Sequence, residues 1–290
     1  MKRAISLTSL VTVLMSALLA QAAGACAYGG ASVGHESHGY AATAAPVAAA
    51  PQSGDFRWRG ALGAGRLVEI KGVNGRVEAQ PASGGEVEVV AVKRARRSNP
   101  ADVRVEVVEH AEGVTICAVY PSREGDGPNV CAPGEGGRMS VRNNDVVVDF
   151  TVRVPAGVRF RGKTVNGDVE ARNLGGDVEA TTVNGSINVS TSGLARAKTV
   201  NGSITAAMGR ADWADGLEFQ TVNGAIDLSF PSGLSAEVEA ETVNGDIQTD
   251  FPLTVTGRFS KRRLSGTIGG GGRELRLKTV NGSVHIRRSA

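Results

Sequence analysis

The tetrapeptide Thr-Val-Asn-Gly occurs six times in this 290-residue chain, at residues 164–167, 182–185, 199–202, 221–224, 242–245 and 279–282. A weaker copy, Gly-Val-Asn-Gly, spans residues 72–75. Recurrence of one unit about every 20 residues predicts a repeat architecture, in which each unit stacks on its neighbours and shares their core. The structural corners of such a stack would be Asn74, Asn166, Asn184, Asn201, Asn223, Asn244 and Asn281.

The last interval between copies is clearly longer than the others. We interpret residues 264–268, Leu-Ser-Gly-Thr-Ile, as a degraded copy that divides this interval. Residues 174–178, Leu-Gly-Gly-Asp-Val, form a similar degraded copy between the first two complete ones. The repeat is therefore expected to continue through both segments.

Apolar residues alternate with polar residues on both sides of each copy, which is the pattern of half-buried β-strands. Leu217 and Phe219 precede the turn at Asn223 with one parity, and Ile226 and Leu228 follow it with the opposite parity. A turn at Asn-Gly returns both sets to one face, and both residue types tolerate the positive φ of tight turns. After the N-terminal segment there is no helix-length apolar period, so the sequence predicts an all-β protein.

Two all-β architectures satisfy this pattern. In an antiparallel β-meander, each Asn-Gly would close a hairpin, and Phe219 would pair with Leu228. In a β-solenoid, each Asn-Gly would be a corner, and equivalent residues of successive coils would stack about 4.8 Å apart. A hairpin does not require the flanking Thr-Val to recur, whereas a stack favours identical residues because like side chains form ladders. The sequence therefore favours the β-solenoid and leaves the meander as its alternative.

Composition divides the chain into four segments. Residues 1–25 join Lys2 to an apolar stretch that ends in small residues, which is typical of a secretory signal peptide. Residues 26–55 are a flexible linker rich in Ala, Gly and Pro. Residues 56–155 form a β region with irregularly spaced strands, and residues 156–290 hold the repeats; the weak copy at 72–75 indicates that the two are continuous. We therefore predict an exported protein of the periplasm, the outer membrane or the cell surface.

The three cysteines have two different predicted roles. Cys117 and Cys131 flank a Gly/Pro-rich stretch between strand-like segments. A disulfide there would close a loop of about 15 residues, which the chain-entropy model values at about 3 kcal/mol. Cys26 is left over, and it follows small residues as in a bacterial lipoprotein signal, although Ala23 stands where leucine is usual. Cys26 is thus a candidate lipidation site that would tether the protein without a membrane span, with ordinary cleavage as the alternative.

The residue types that carry chemistry do not assemble into an active site along the sequence. Asp168 and Asp246 follow Asn-Gly in copies several coils apart, whereas polysaccharide cleavage needs carboxylates close together. His35 and His38 lie in the linker, where a flexible chain makes a poor metal site. His110 lies on a strand-like segment and is expected to face solvent. We predict no catalytic residue, no metal, no cofactor and no enzyme.

Charge gives one candidate contact. The formal net charge is only +3, and two of the positive charges lie in the signal peptide, so the mature chain carries no field that favours nucleic acid. The basic cluster of Lys93, Arg94, Arg96 and Arg97 is a candidate contact for an anionic surface polymer. Its alternative role is to protect exposed strands and loops from edge pairing.

A resemblance to a known family adds to this reading. It lies in the Thr-Val-Asn-Gly-(Asp/Ser)-(Val/Ile) series and in residues 116–121, 152–158, 230–234 and 269–272. Together these segments resemble the bacterial putative-adhesin family of β-strand-repeat proteins of unknown function, DUF4097, over roughly residues 60–288. The resemblance implies a single-stranded right-handed β-helix at the cell envelope or surface, and it supplies no catalytic residues.

Three functional hypotheses follow. The first is a non-enzymatic exported cell-envelope solenoid that acts as an adhesin, surface-interaction or scaffold protein, with an envelope protein or surface polymer as partner. The second is an envelope-stress sensor or regulator that binds a ligand on the solenoid face. The third is a degenerate carbohydrate-active β-helix. Nucleic acid is not an expected partner, and membrane contact is expected only through an N-terminal lipid.

Overall fold

The chain alternates between two large sheets in the computed structural model, which describes residues 55–122, 125, 127–255, 260 and 262–289. The predicted signal peptide, the linker up to residue 54 and its residues Cys26, His35 and His38 lie outside the described residues. Apart from a 3₁₀ turn at Pro100–Asp102, the regular structure in the described part is β-strand, as the sequence predicted. That part contains no helix of the length and hydropathy needed to cross a membrane.

The strands are numbered in chain order. They are β1 (Phe56–Ala61), β2 (Leu67–Lys71), β3 (Val77–Pro81), β4 (Glu86–Arg94), β5 (Arg104–His110), β6 (Gly113–Val119), β7 (Val147–Val154), β8 (Arg159–Lys163), β9 (Val169–Leu174), β10 (Val178–Thr181), β11 (Ile187–Thr191), β12 (Ala195–Lys198), β13 (Ile204–Met208), β14 (Leu217–Gln220), β15 (Ile226–Phe230), β16 (Ala236–Glu241), β17 (Ile247–Thr249), β18 (Leu253–Val255), β19 (Arg263–Ile268), β20 (Glu274–Lys278) and β21 (Val284–Arg288).

Each Asn-Gly copy joins a strand of one sheet to a strand of the other. The strand before each corner lies in the entry sheet, whose order is β18-β19-β16-β20-β14-β12-β10-β8-β2-β6-β5. The strand after each corner lies in the exit sheet, whose order is β1-β4-β7-β3-β9-β11-β13-β15-β21-β17. One entry strand, its corner and the following exit strand form one coil, and coils pair with each other in parallel. Strands from the region before residue 155 and from the repeats share both sheets.

The parallel pairing decides between the two predicted architectures. Phe219 pairs with Ala197 and Leu277 of neighbouring coils, and Leu228 on the far side of the corner is not its partner. Both Phe219 and Leu228 are fully buried, because the corner turns the two strands so that their apolar faces meet. The β-solenoid is therefore confirmed, and the hairpin meander is wrong.

Threonine and asparagine at the corners make hydrogen bonds between coils. Every Thr of a Thr-Val-Asn-Gly copy donates its hydroxyl to a glycine carbonyl of the next coil at 2.8–2.9 Å. The seven asparagines form one ladder, in which the Nδ2 of every asparagine except Asn74 donates to the neighbouring Oδ1 at 2.7–2.8 Å. In stacking order the ladder runs Asn74, Asn166, Asn184, Asn201, Asn223, Asn281, Asn244. The predicted stacking of these corners is confirmed.

Glycine and valine complete the explanation of the motif. A Cβ atom on Gly202 would lie 2.0 Å from the carbonyl oxygen of Gly185, so the corners stack too closely for any side chain at this position. Val200, Val222 and Val280 pack in a small apolar cluster of their own, separate from the main core. The sequence-based reason for asparagine was wrong, because none of the corner asparagines has a positive φ. Amide pairing between coils, and not turn conformation, is what asparagine provides here.

The coils do not stack in chain order at either end. The last coil, β20–β21, is inserted between the coil β14–β15 and the coil β16–β17. At the other end, β6 and β7 lie outside the coil β2–β3, which contacts β8–β9. The first coil, β2–β3, is thus the second layer of the stack, and the last coil, β20–β21, is the second-to-last layer.

Antiparallel strands cover both sheets at one end of the stack and the entry sheet at the other. β1 pairs with β4 as the outermost strand of the exit sheet, and β5 pairs with β6 at the corresponding end of the entry sheet. At the opposite end β19 lies antiparallel to β16. Residues 264–268 belong to β19, so their prediction as a degraded coil is wrong. Residues 174–178 are also no separate coil, because they are the connection from β9 to β10.

Candidate functional site

The segment between β6 and β7 leaves the solenoid and folds back over its first corners. Val130 and Arg138 exchange backbone hydrogen bonds of 2.9 and 3.0 Å, which defines a small hairpin over residues 130–138. A disulfide links Cys131 of this hairpin to Cys117 of β6, with 5.8 Å between the Cα atoms. The predicted disulfide is thereby confirmed, and it ties the hairpin to the entry sheet.

The tip of the hairpin is held by a buried carboxylate. Glu69 of β2 is fully buried, and its Oε2 accepts hydrogen bonds from the Thr115 hydroxyl at 2.8 Å and the Gly134 backbone amide at 2.9 Å. Beside it, Lys71 Nζ donates to the backbone carbonyls of Ala132 at 2.5 Å and Gly136 at 3.1 Å. Side chains of the entry sheet thus form hydrogen bonds with backbone groups of the hairpin turn that lies over them.

Positive charge surrounds this carboxylate. Glu69 Oε1 accepts no hydrogen bond, but it lies 3.6 Å from Arg161 Nη1 and 4.0 Å from Lys163 Nζ. Lys163 also pairs with Glu135 at the hairpin tip. Burial lowers the pKa of Lys71, and the nearby Glu69 carboxylate opposes that shift. The hairpin is therefore held to the entry sheet by ion pairs and hydrogen bonds to charged groups as well as by the disulfide.

The base of the hairpin is fixed by an amide side chain. Asn129 Nδ2 donates to the carbonyls of Tyr120 at 2.9 Å and Ser140 at 3.0 Å, and its Oδ1 accepts from the Ser140 amide at 2.7 Å. The Tyr120 hydroxyl donates to the carbonyl of Val146 at 2.8 Å, and burial raises its pKa to about 12. Both ends of the excursion are therefore anchored to the solenoid.

A cavity of about 740 Å³ lies between the hairpin and the first three corners. Its lining includes the valines of the first three corners, here called the floor, and Met139 and Val141 of the excursion. It also includes four asparagines and the basic residues Lys71, Lys163 and Arg138. The floor valines are Val73, Val165 and Val183, and the amide residues are Asn74, Asn143, Asn144 and Asn166.

The basic cluster predicted from the sequence lies elsewhere, and the cavity lining includes none of its four residues. Lys93 Nζ donates to the carbonyl of Val103 at 3.0 Å, and Arg94 pairs with Asp149. The backbone amides of Arg96 and Arg97 bind the carboxylate of Asp145. Much of the cluster is thus occupied by contacts within the fold, and its proposed role in binding a polyanion remains a prediction.

The candidate catalytic side chains lie apart or in buried contacts in the described part of the chain. His110 Nε2 lies 3.1 Å from the Thr115 hydroxyl, which donates to Glu69, so His110 belongs to a hydrogen-bonded chain and is only partly exposed to solvent. Thr115 is fully buried, and no substrate can reach its oxygen. Asp168 accepts from the Ser186 amide at 2.7 Å and lies at the corner of Asn166, whereas Asp246 lies at the far end of the ladder. Over the described ranges there is no group of three or more His, Cys, Asp or Glu residues arranged to hold a metal ion.

Sequence reasoning missed the cavity and its buried carboxylate. One signal for Glu69 was present, since it is the only charged residue of Leu67–Ile70 in a strand that is otherwise apolar there. Residues 134–137, Gly-Glu-Gly-Gly, begin three positions after Cys131, and this glycine-rich stretch also indicated a tight turn. The contact between these two segments depends on residues 65 positions apart, and no local pattern reports it.

Comparison with known proteins gives one family match. Residues 158–287 match the family model described as Toastrack DUF4097. The solved structure of a putative cell adhesion protein from Clostridium sporogenes ATCC 15579 is 9% identical, covers 81% of this chain and 100% of its own, and has a TM-score of 0.44. A putative adhesin from Bacteroides fragilis NCTC 9343 is 12% identical, covers 82% of this chain and 99% of its own, and has a TM-score of 0.24. No curated protein matches the chain.

Proposed function

We propose that this chain, whose residues 158–287 match the Toastrack DUF4097 family model, is a non-enzymatic, exported β-solenoid that binds a component of the cell envelope or surface. The proposed binding site is the cavity beneath the disulfide-closed hairpin. The solenoid serves as a rigid support, and the hairpin and the first corners supply the recognition surface.

The cavity of about 740 Å³ is the observation that carries this proposal. Its volume lies within the range of about 300–1,000 Å³ that is usual for ligand sites. The corner residues elsewhere are occupied by stacking, since each Thr, Asn and Gly of the motif contacts the next coil. A disulfide, the side chains of Lys71 and Asn129 and the buried Glu69 carboxylate hold the hairpin in place over the cavity, which preorganises its walls.

Export is part of the same proposal. The Cys117–Cys131 disulfide supports it, because structural disulfides persist in oxidising compartments and are rare in the cytosol. The N-terminal segment adds a secretory pattern in the sequence. Mass spectrometry of the mature N-terminus would distinguish lipidation at Cys26 from cleavage beside it, and retention of residues 1–25 would contradict export.

The proposal is tested by retention of the fluorescently labelled protein on isolated bacterial envelopes. Val141→Trp places a large side chain at the cavity wall, where it would occupy space that the ligand needs. We expect retention to fall by about tenfold or more, because a few central contacts carry most of a binding energy. Val255→Trp is the matched control, because Val255 lies on β18 at the far end of the stack and is 40% exposed. Absence of retention, or equal retention of both variants, would contradict binding through the cavity. Turnover of any envelope polysaccharide would contradict the non-enzymatic role.

A further inference from the structure

The cavity beneath the hairpin combines cations, amides and a short apolar floor, and this combination indicates the chemical class of its ligand. We infer that it binds a carboxylate-bearing sugar unit of an acidic saccharide. The inference rests on the proposed function, since it names the ligand of the same site.

Charge favours an anionic ligand. The lining includes three basic residues, Lys71, Lys163 and Arg138, and one acidic residue, Glu135. Lys71 and Lys163 already bind the hairpin through backbone carbonyls and Glu135, so Arg138 carries the proposed contact with the ligand. The other carboxylate of the cluster, Glu69, is fully buried beneath the hairpin tip and is bound by its backbone. Arg138 lines the cavity and is exposed, and its guanidinium lies close to Gly127. This planar group can pair with a carboxylate through two hydrogen bonds.

Amides favour a ligand with hydroxyl groups. In the ladder Asn166 uses one Nδ2 hydrogen on Asn74 Oδ1, which leaves a second donor on the same nitrogen. Asn143 and Asn144 bring two further amide groups to the wall from the excursion. Each asparagine amide offers both a donor and an acceptor, which suits the hydroxyl groups of a sugar ring because these also donate and accept.

The apolar floor suits a sugar ring and excludes a lipid chain. Val73, Val165 and Val183 present methyl groups to the cavity, and the C–H face of a ring can lie against them. An acyl chain in the same place would cover the amide groups without hydrogen-bonding to them, and burial of an unsatisfied amide is unfavourable. Val200, the corner valine of the next coil, packs with Val183 and is only 6% exposed, so the open apolar surface ends near Val183.

The test compares two ligands that differ in the carboxylate. Trigalacturonate and its neutral counterpart galactotriose are titrated into the full exported chain by isothermal calorimetry. Trigalacturonate is expected to bind, galactotriose to bind at least about tenfold more weakly, and added salt to weaken the acidic ligand, because charge-assisted hydrogen bonds carry the difference. Equal binding of the two sugars, or no binding of trigalacturonate, would overturn the inference.

Two matched charge reversals locate the site. Arg138→Glu at the cavity is expected to weaken trigalacturonate by about tenfold or more, as loss of one charged pair does. Arg97→Glu, in the basic cluster outside the cavity, is expected to leave the affinity unchanged. The opposite result would assign the anion to the basic cluster and overturn the inference. Unchanged thermal melting of each variant excludes misfolding, and the comparison of the two sugars on the unaltered protein does not depend on any variant.

Failure of this inference is distinguishable from failure of the proposed function. Envelope retention that Val141→Trp abolishes, combined with no binding of trigalacturonate, would overturn the acidic sugar and keep the cavity as the binding site. Binding of laurate in place of trigalacturonate would also overturn the acidic sugar. Loss of both retention and sugar binding would overturn both proposals.

Discussion

At the residue scale, the four letters of the motif have four separate structural roles. Thr221 donates its hydroxyl to Gly202 of the next coil, and Asn223 both donates to Asn201 and accepts from Asn281 at 2.7 Å. Gly224 has no room for a Cβ atom, which would lie 2.0 Å from Gly202 O. Because one residue type fits each role, and because the role recurs in every coil, the motif recurs with it. The repeated letters are therefore explained by stacking without any ligand.

We expect Asn223→Ala to lower the free energy of unfolding by about 1 kcal/mol or more, since it removes two hydrogen bonds of the ladder. Asn188→Ala is the matched control, because Asn188 is exposed on β11 and takes no part in the ladder. Urea unfolding of both variants measures the difference. A neutral Asn223→Ala would show that the amide ladder does not stabilise the stack.

Asp145 predicts a dependence on pH. Backbone amides of Ser98, Arg97 and Arg96 and the Ser98 side chain bind its carboxylate and lower its pKa from 3.8 to about 2. A carboxylate with a depressed pKa in the folded state stabilises the fold above its unfolded pKa, and the contribution is lost as the pH falls from about 4 towards 2.

Asp145→Asn is therefore expected to be less stable than the unaltered chain at pH 5, with a gap that narrows as the pH is lowered to 3 and below. Urea midpoints at these pH values measure the gap. A gap that stays constant with pH would mean that the ionised form of Asp145 makes no special contribution to stability.

At the element scale, the hairpin over residues 130–138 depends on contacts to strands far away in sequence. Its own backbone provides one bridge, between Val130 and Arg138. The rest comes from the disulfide to β6 and from Glu69 and Lys71 of β2. A short hairpin alone is marginally stable in water, so these anchors decide whether the cavity has a fixed wall.

Removal of the disulfide should show how much it contributes to stability beside the Glu69 and Lys71 contacts. We expect Cys117→Ala with Cys131→Ala to lower the free energy of unfolding by about 3 kcal/mol, the chain-entropy value for a loop of about this size. The unaltered chain is expected to lose the same amount in reductant, and the double variant is expected to be insensitive to it. Urea unfolding with and without reductant checks this. An unaltered chain that melts identically in both conditions would contradict a stabilising bridge.

At the scale of the whole molecule, one row of charges on the outer face of the entry sheet follows the order of the stack. Glu218 of β14 and Glu239 of β16 would be neighbours if coils stacked in chain order. Arg276 of β20 lies between them, and it is 3.3 Å from Glu239. In stacking order the row is Glu69, Arg161, Glu179, Arg196, Glu218, Arg276, Glu239, so acid and base alternate throughout. Like charges opposite each other are destabilising, so this row favours insertion of the last coil at its observed place.

Charge reversal at Arg276 tests this role. Arg276→Glu would place an acidic side chain between Glu218 and Glu239. We expect the free energy of unfolding to fall by about 0.2–1 kcal/mol for each like-charge contact. Because β16 and β17 contact the solenoid through β20 and β21, hydrogen exchange should rise in residues 234–249 and 274–288 while β9 and β11 stay protected. Combining it with Glu239→Arg restores one opposite-charge pair and should recover part of the protection. Equal exchange in the unaltered chain and the variant would show that charge does not select the position of the coil.

Local patterns in the sequence determined the all-β class, the strand faces, the corners and the disulfide. Both signals can be read along the sequence, because alternation depends on neighbouring residues in one strand and recurrence depends on exact repetition. Only the tertiary structure decided that the last coil lies between the two before it, that residues 264–268 cap the stack, and that Glu69 meets the hairpin tip. These features depend on packing and charge between segments tens of residues apart, where many pairings share the same alternation. The cavity belongs to the second group, because its walls come from three corners and an excursion that no local pattern brings together.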